Sequence, residues 1–134
     1  MASELRVDTL KDASGANSIG LSYVANGSAK AWLQYNQTTP AVAGSFNVSS
    51  ISDDSTGIFS PSLTSSLSSV SDCCVTAISN HDSGESEPRL IALRNDQGGS
   101  FTTSIQTLAV YNAGSATSLY DNKFNFGVIH GDLA

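Results

Sequence analysis

Apolar residues in this 134-residue chain recur mostly at every second position, in short runs separated by Gly, Asn, Asp and Ser. Period two marks strands with one covered face, because successive side chains along a strand point to opposite sides. Leu5, Val7 and Thr9 predict a first short strand, and the turn-forming residues 12–17 close it. Ile19, Leu21 and Tyr23 predict a second, ended by Asn26-Gly27, a strong tight-turn pair. Ala29, Ala31, Leu33 and Tyr35 form one face of a third and leave Trp32, the single tryptophan, on the other. A helix competes there, since Ala, Lys, Leu and Gln are good helix formers.

After Pro40 and Gly44 the alternation tightens. Phe46 and Val48 are expected to share a face, with Ile51 displaced by a bulge or strand end. Asp53-Asp54-Ser55-Thr56-Gly57 supplies a turn, and residues 58–63 the returning strand, which Pro61 places at an edge or bend. The Ser-rich residues 62–71 predict a helical turn or an irregular crossing. Further strands are expected over 73–78, 90–93, 101–111 and 124–130. Such a series, with no sustained helical period, predicts an all-β fold of the antiparallel sandwich or barrel kind. Its core is expected to include Phe46, Val48, Phe59, Val75, Leu90, Ile105, Phe124, Phe126 and Val128.

Composition changes this picture in two ways. Apolar residues make up 40% of the chain and aromatic ones 7%, so part of the apolar surface is expected to be buried against another chain. Six Lys and Arg against twelve Asp and Glu give a net charge of −6, and the cations are scattered, which argues against phosphate-mediated nucleic-acid binding. The sequence contains no apolar run of membrane-spanning length and no recognisable secretion signal, so no membrane insertion is expected and synthesis is placed in a cytoplasm.

Candidate chemistry is sparse. His81-Asp82-Ser83-Gly84-Glu85-Ser86-Glu87 gathers an imidazole and three carboxylates, but matches no calcium loop and reads as a solvated hairpin. Asp53 and Asp54 are adjacent and form a turn more readily than an acid–base pair. Cys73 and Cys74 lack a nucleophile signature. Their candidate bases are His81 and His130, and one thiol is expected in the core with the other on the outer face. His130 continues the row of Phe124, Phe126 and Val128 and is expected at the end of an inward face or at a subunit contact. Gln97-Gly98-Gly99 reads as a turn rather than a phosphate loop. Trp32, Tyr35, Tyr111 and Tyr120 offer an aromatic platform for a sugar ring, against which stands the packing of Trp32 in a core or interface. No cofactor, no metal and no catalytic residue is assigned.

Three segments carry a family resemblance. Leu5-Arg-Val-Asp-Thr-Leu-Lys-Asp-Ala-Ser-Gly15 resembles the opening of many tail-fibre and minor virion proteins of tailed bacteriophages, especially those infecting aquatic bacteria. Lys30-Ala-Trp-Leu-Gln-Tyr-Asn36, followed by Ser45-Phe-Asn-Val-Ser-Ser-Ile-Ser-Asp-Asp54 and Thr56-Gly57, is similar to the start of the small β domain that ends such fibres. Phe124-Asn-Phe-Gly-Val-Ile-His-Gly-Asp132 resembles its last strand. The family has no active site. The resemblance implies a homotrimer, in which an intertwined leader (residues 1–40) precedes a β knob (residues 41–134). Leu5, Val7, Ile19, Leu21, Trp32, Leu33 and Tyr35 are the expected subunit contacts. It also implies a place on the virion as a tail appendage for host attachment, with other virion proteins as partners, and the polar, lightly charged composition suits host-surface glycan as a ligand class. A capsid decoration protein is the alternative.

Overall fold

The computed structural model describes residues 6–15, 18–80, 89–94 and 99–134. The chain is mostly strand, 57% against 5% helix, and all its sheets are antiparallel, which settles the period-two reading over the helical one. A two-residue-period pattern opens the chain. β1 (Thr9–Lys11) and β2 (Ser18–Gly20) pair with Leu10 opposite Ile19, and the turn between them is held by Gly15 N–H donating to Asp12 O at 3.0 Å. The alternation of Ile19, Leu21 and Tyr23 does not extend β2. Instead α1 (Leu21–Gly27) begins: among the described residues no third strand pairs with β1 or β2, and Leu21, Val24 and Ala25 have helical spacing. Asn26-Gly27 therefore ends a helix, not a hairpin, and Ser28 N–H closes its last turn on Val24 O at 3.1 Å.

Two larger sheets follow. β3 (Ala29–Asn36), β4 (Ala41–Phe46), β7 (Cys74–Ser79) and β11 (Asn125–His130) form one, in the order β4-β3-β11-β7. The expected leader boundary at residue 40 thus falls between two paired strands, because β3 lies inside the sheet with β4 and β11 on either side. The second sheet contains β5 (Val48–Ser55), β6 (Ile58–Leu63), β8 (Arg89–Leu93), β9 (Leu108–Asn112) and β10 (Ser115–Leu119). Here β9 is the hub: β8 runs along one side, while β6 and then β10 pair on the other. The two sheets do not close into a barrel.

One residue carries the chain from sheet to sheet. Asn47, at φ 54°, stands between β4 and β5, and its side chain accepts from Ser65 N–H at 2.7 Å and donates to Ser65 O at 3.0 Å. A left-handed residue breaks the alternation, so Phe46 and Val48 do not share a face: Phe46 is 54% exposed, Val48 half-buried against the core. Pro61 has no N–H to give and falls beyond the β6–β9 ladder, which ends at Phe59. Residues 64–73 make the irregular crossing, pinned by Leu67 N–H to Thr103 O and Ser68 N–H to Asp132 O, both 2.8 Å.

The core lies between the two sheets. Leu33 and Tyr35 from β3 meet Phe59, Leu108 and Val110 from β6 and β9, and the Tyr35 and Phe59 rings sit 5.1 Å apart at 43°. Ala31, Leu63, Leu67 and Ile129 continue it. Of the expected core residues, Phe59 is fully buried, and Val48 and Val75 pack at its edge. Phe46, Leu90 and Phe126 are exposed instead. In β11 the expected row was the wrong one: Asn125, Gly127 and Ile129 point inward, while Phe126 and Val128 share the outer face with Trp32 and Ile78. Gly127 lets Leu33 and Leu108 close over it, and Asn125 donates to Tyr35 O and Asn122 O, tasks that Phe126 could not perform. Nor is 101–111 one strand. Thr102 Oγ1 accepts from Ser104 and Ile105 N–H, which folds residues 101–106 into a tight loop before β9 begins.

Candidate functional site

Residues with reactive side chains are brought together at one place, where α1 meets the end of the four-stranded sheet. A cleft of about 530 Å³ is lined there by Asn26, Asp72, Cys73, Cys74, His130 and Asp132 among others. His130 stands opposite Cys74 in the β11–β7 register. Cys74 is exposed, whereas Cys73 is half-buried against Leu67 and Ile129, as the split between core and outer face required. Cys73 Sγ–H donates to Val70 O at 3.3 Å, and burial, aided by Cys74 and Asp72, pushes its thiol above the usual range. Cys73 is therefore held as a protonated thiol, unsuited to attack. His81 and the rest of residues 81–87 lie outside the described residues, as do Gln97 and Gly98 of the proposed turn. Among the described residues no three His, Cys, Asp or Glu side chains are grouped to hold a metal ion.

The two adjacent carboxylates hold structure in place. Asp54 accepts from Ser52 Oγ–H at 2.7 Å and from Ser60 Oγ–H at 2.5 Å, and Ser60 is in turn 2.7 Å from Thr107 Oγ1. Asp53 accepts from the buried Gln37 amide at 3.2 Å. The turn itself belongs to Gly57, at φ 70°. Asp121 caps it by accepting from Gly57 N–H at 2.7 Å. Nearby, burial first and then Asp53, Asp121 and Asp54 raise the Tyr35 hydroxyl above its ordinary value.

The four aromatic candidates do not form one platform. Tyr35 is inside the core and Trp32 faces out from the same strand; Tyr111 belongs to the other sheet, and Tyr120 stacks under Arg89 at 4.2 Å. Among the expected subunit contacts, Leu33 and Tyr35 are likewise corrected. Both side chains are almost fully buried within their own chain, because the inward row of β3 supplies the core, so neither is available to a second subunit. Leu5 lies outside the described residues, Val7 and Leu21 are half-buried, and Ile19 and Trp32 are exposed.

What alternation alone misassigned is the outer face of the four-stranded sheet. In register, Phe46 stands beside Trp32, Trp32 beside Val128 and Val128 beside Thr76; one pleat away lie Gly44, Gln34, Phe126 and Ile78. The Trp32 ring leans over Gly44, where a Cβ would come within 3.2 Å of it, so the glycine allows the indole to lie along the sheet. The result is an apolar, nearly uncharged surface, suited to contact with a macromolecule. Comparison with protein-family models, with curated proteins and with solved structures returns no match for this chain.

Proposed function

We propose that this chain is a structural protein of a tailed-bacteriophage virion, a homotrimeric knob-like tail appendage that serves host adhesion or attachment to another virion protein. The segments around Leu5, Trp32 and Phe126 that resemble phage fibre proteins support this reading. The observation that carries it is a division of the chain: among the described residues before Ala29 none is buried, while from Ala31 onward a core forms between two sheets. A leader that fully buries no described residue within its own chain needs neighbours, and a trimer supplies them. In this reading the two sheets pack as a sandwich-type knob.

Adhesion would then work through multivalency, three weak contacts on one rigid assembly acting at high effective concentration. Hydroxyl and amide groups at the knob surface suit host glycan as the ligand class. Gold-labelled antibody against the protein, applied to purified particles, tests the proposal. Label at the tail is expected. Label spread over the shell would replace it with the capsid-decoration reading, and particles free of the protein would remove both.

A further inference from the structure

We infer that the outer face of the four-stranded sheet is covered, in the assembled protein, by the N-terminal leader of a second copy of the same chain. The inference rests on the trimeric reading above and adds to it which surfaces meet. Four large side chains, Trp32, Phe46, Ile78 and Phe126, are between 37% and 64% exposed on this face. With about 200 Å² for a large side chain fully exposed, they offer roughly 400 Å² of apolar surface. The leader matches this. Leu10, Ile19, Tyr23 and Val24 are 39% to 75% exposed and contribute about the same area.

Area and charge together select the pairing. A standard protein interface removes about 1,600 Å² from water, of which somewhat over half is apolar, or roughly 900 Å². One sheet face against one leader comes close to that. Two carboxylate-rich chains of net charge −6 repel each other over most of their surface. The four strands of this sheet, however, contain no Asp or Glu, and Lys30 is their sole charged residue. The described part of the leader is balanced, with Arg6 and Lys11 against Asp8 and Asp12. Contact between them therefore sets a face free of carboxylates against a leader whose two are balanced by two cations.

Within its own chain the leader leaves the face bare. Lys30 Nζ donates to Ala25 O and, at 3.0 Å, to Ser28 Oγ, which ties the end of α1 to the start of β3. Asn26 accordingly lines the cleft with Cys74 and His130, and Trp32 stays 43% exposed. A leader-to-face contact joins two different surfaces, so it repeats head to tail and closes on itself only as a ring. In the trimeric reading, three copies make such a ring.

The full-length chain provides the test, by sedimentation equilibrium with three variants. Phe46→Asp/Ile78→Asp places charge on the face, Tyr23→Asp places it on the leader, and Leu90→Asp, at an exposed position of the other sheet, is the control. The first two should dissociate to monomers with unchanged far-ultraviolet circular dichroism; the control should remain a trimer. Mixing the face and leader variants is decisive, because each retains the surface the other lacks: a one-to-one complex is expected, formed by neither alone. Cys74, exposed on the same face, should be alkylated slowly in the trimer and quickly in either variant. A trimer that survives Phe46→Asp/Ile78→Asp overturns this inference and leaves the trimeric reading standing. A mixture that forms no complex overturns it too. A wild-type chain that is monomeric at every concentration removes both. Saccharide binding lost in Trp32→Ala, with assembly unaffected, would make the face a glycan platform and likewise overturn the inference.

Discussion

Gly57→Ala and Gly127→Ala remove glycine from two buried positions, and burial alone would give them the same effect. The geometry separates them. At Gly57, φ is 70°, and an added Cβ would stand 2.6 Å from Tyr120 N and 2.9 Å from Val110 O. Both neighbours are backbone. The turn cannot retreat either, since Gly57 N–H is held by Asp121 and Gly57 O accepts from Val110 N–H at 2.7 Å. Left-handed backbone with a side chain costs about 1–2 kcal/mol, and overpacking adds about 1–3 kcal/mol, so Gly57→Ala should lose roughly 2–5 kcal/mol. With a mid-range urea slope of about 2 kcal/mol per molar, the unfolding midpoint should fall by about 1–2.5 M. At Gly127 the nearest atoms to a new Cβ are Leu33 Cγ at 3.5 Å and Leu108 Cδ1 at 3.8 Å, ordinary contact distances. Gly127→Ala should therefore leave the midpoint unchanged or raise it, because the unfolded chain loses freedom worth about 0.4–1 kcal/mol. Equal losses in the two variants would refute the reasoning, as would a Gly57→Ala midpoint within about 0.2 M of the wild type.

Other positions yield sharp expectations. Asn125→Ala would remove the side-chain donor to Tyr35 O and Asn122 O, the latter keeping Gln37 N–H at 2.9 Å, and would leave Ser79 Oγ–H without its acceptor, so at about 1–3 kcal/mol for an unsatisfied buried group it should cost roughly 1–3 kcal/mol in urea unfolding. Asn47→Gly keeps the left-handed corner but loses both bonds to Ser65, so it should cost about 1 kcal/mol; Asn47→Ala adds the backbone strain and should cost about twice that. Equal effects of the two Asn47 variants would show that the corner is unstrained. The Tyr35 hydroxyl, raised in the folded chain, favours folding while it stays protonated. Its contribution is complete below about pH 10 and declines as pH climbs through the folded value. Tyr35→Phe should flatten the loss of stability above about pH 10, and an unchanged slope there would contradict the assignment.

Much of the fold could be read from the chain because its strands are short, punctuated and mostly half-covered. Gly57 announced the β5–β6 turn, and Leu33 and Tyr35 were placed on one face, opposite Trp32. What failed was parity. In β11 the bulky residues Phe126 and Val128 looked like the inner row, yet a row is chosen by fit with its partner sheet, and Gly127 and Asn125 fit where a ring does not. Between β4 and β5 a single left-handed Asn47 reverses which side each residue faces, and nothing in an Asn-Val pair signals that. The same two errors hid the outer apolar face, since they placed Phe46 and Phe126 in the core. The alternation does set Trp32 on the face opposite Leu33 and Tyr35, although packing in a core or interface is what its size suggests, and within its own chain it is 43% exposed. Leu33 and Tyr35 read as a subunit contact only if β3 is grouped with the leader, whereas its ladders on both sides make it part of the body.

That placement of β3 decides how the body takes a mechanical load. The leader joins at Ala29, which lies opposite His130 near the end of β11, and β3 is bonded to β11 on one flank and to β4 on the other. A pull on the leader, resisted at the far turns, runs along β3. Both ladders then slide in shear, with their hydrogen bonds stressed together rather than opened one after another. A body suspended by an inner strand can be hauled on through its tether without being unravelled from an edge.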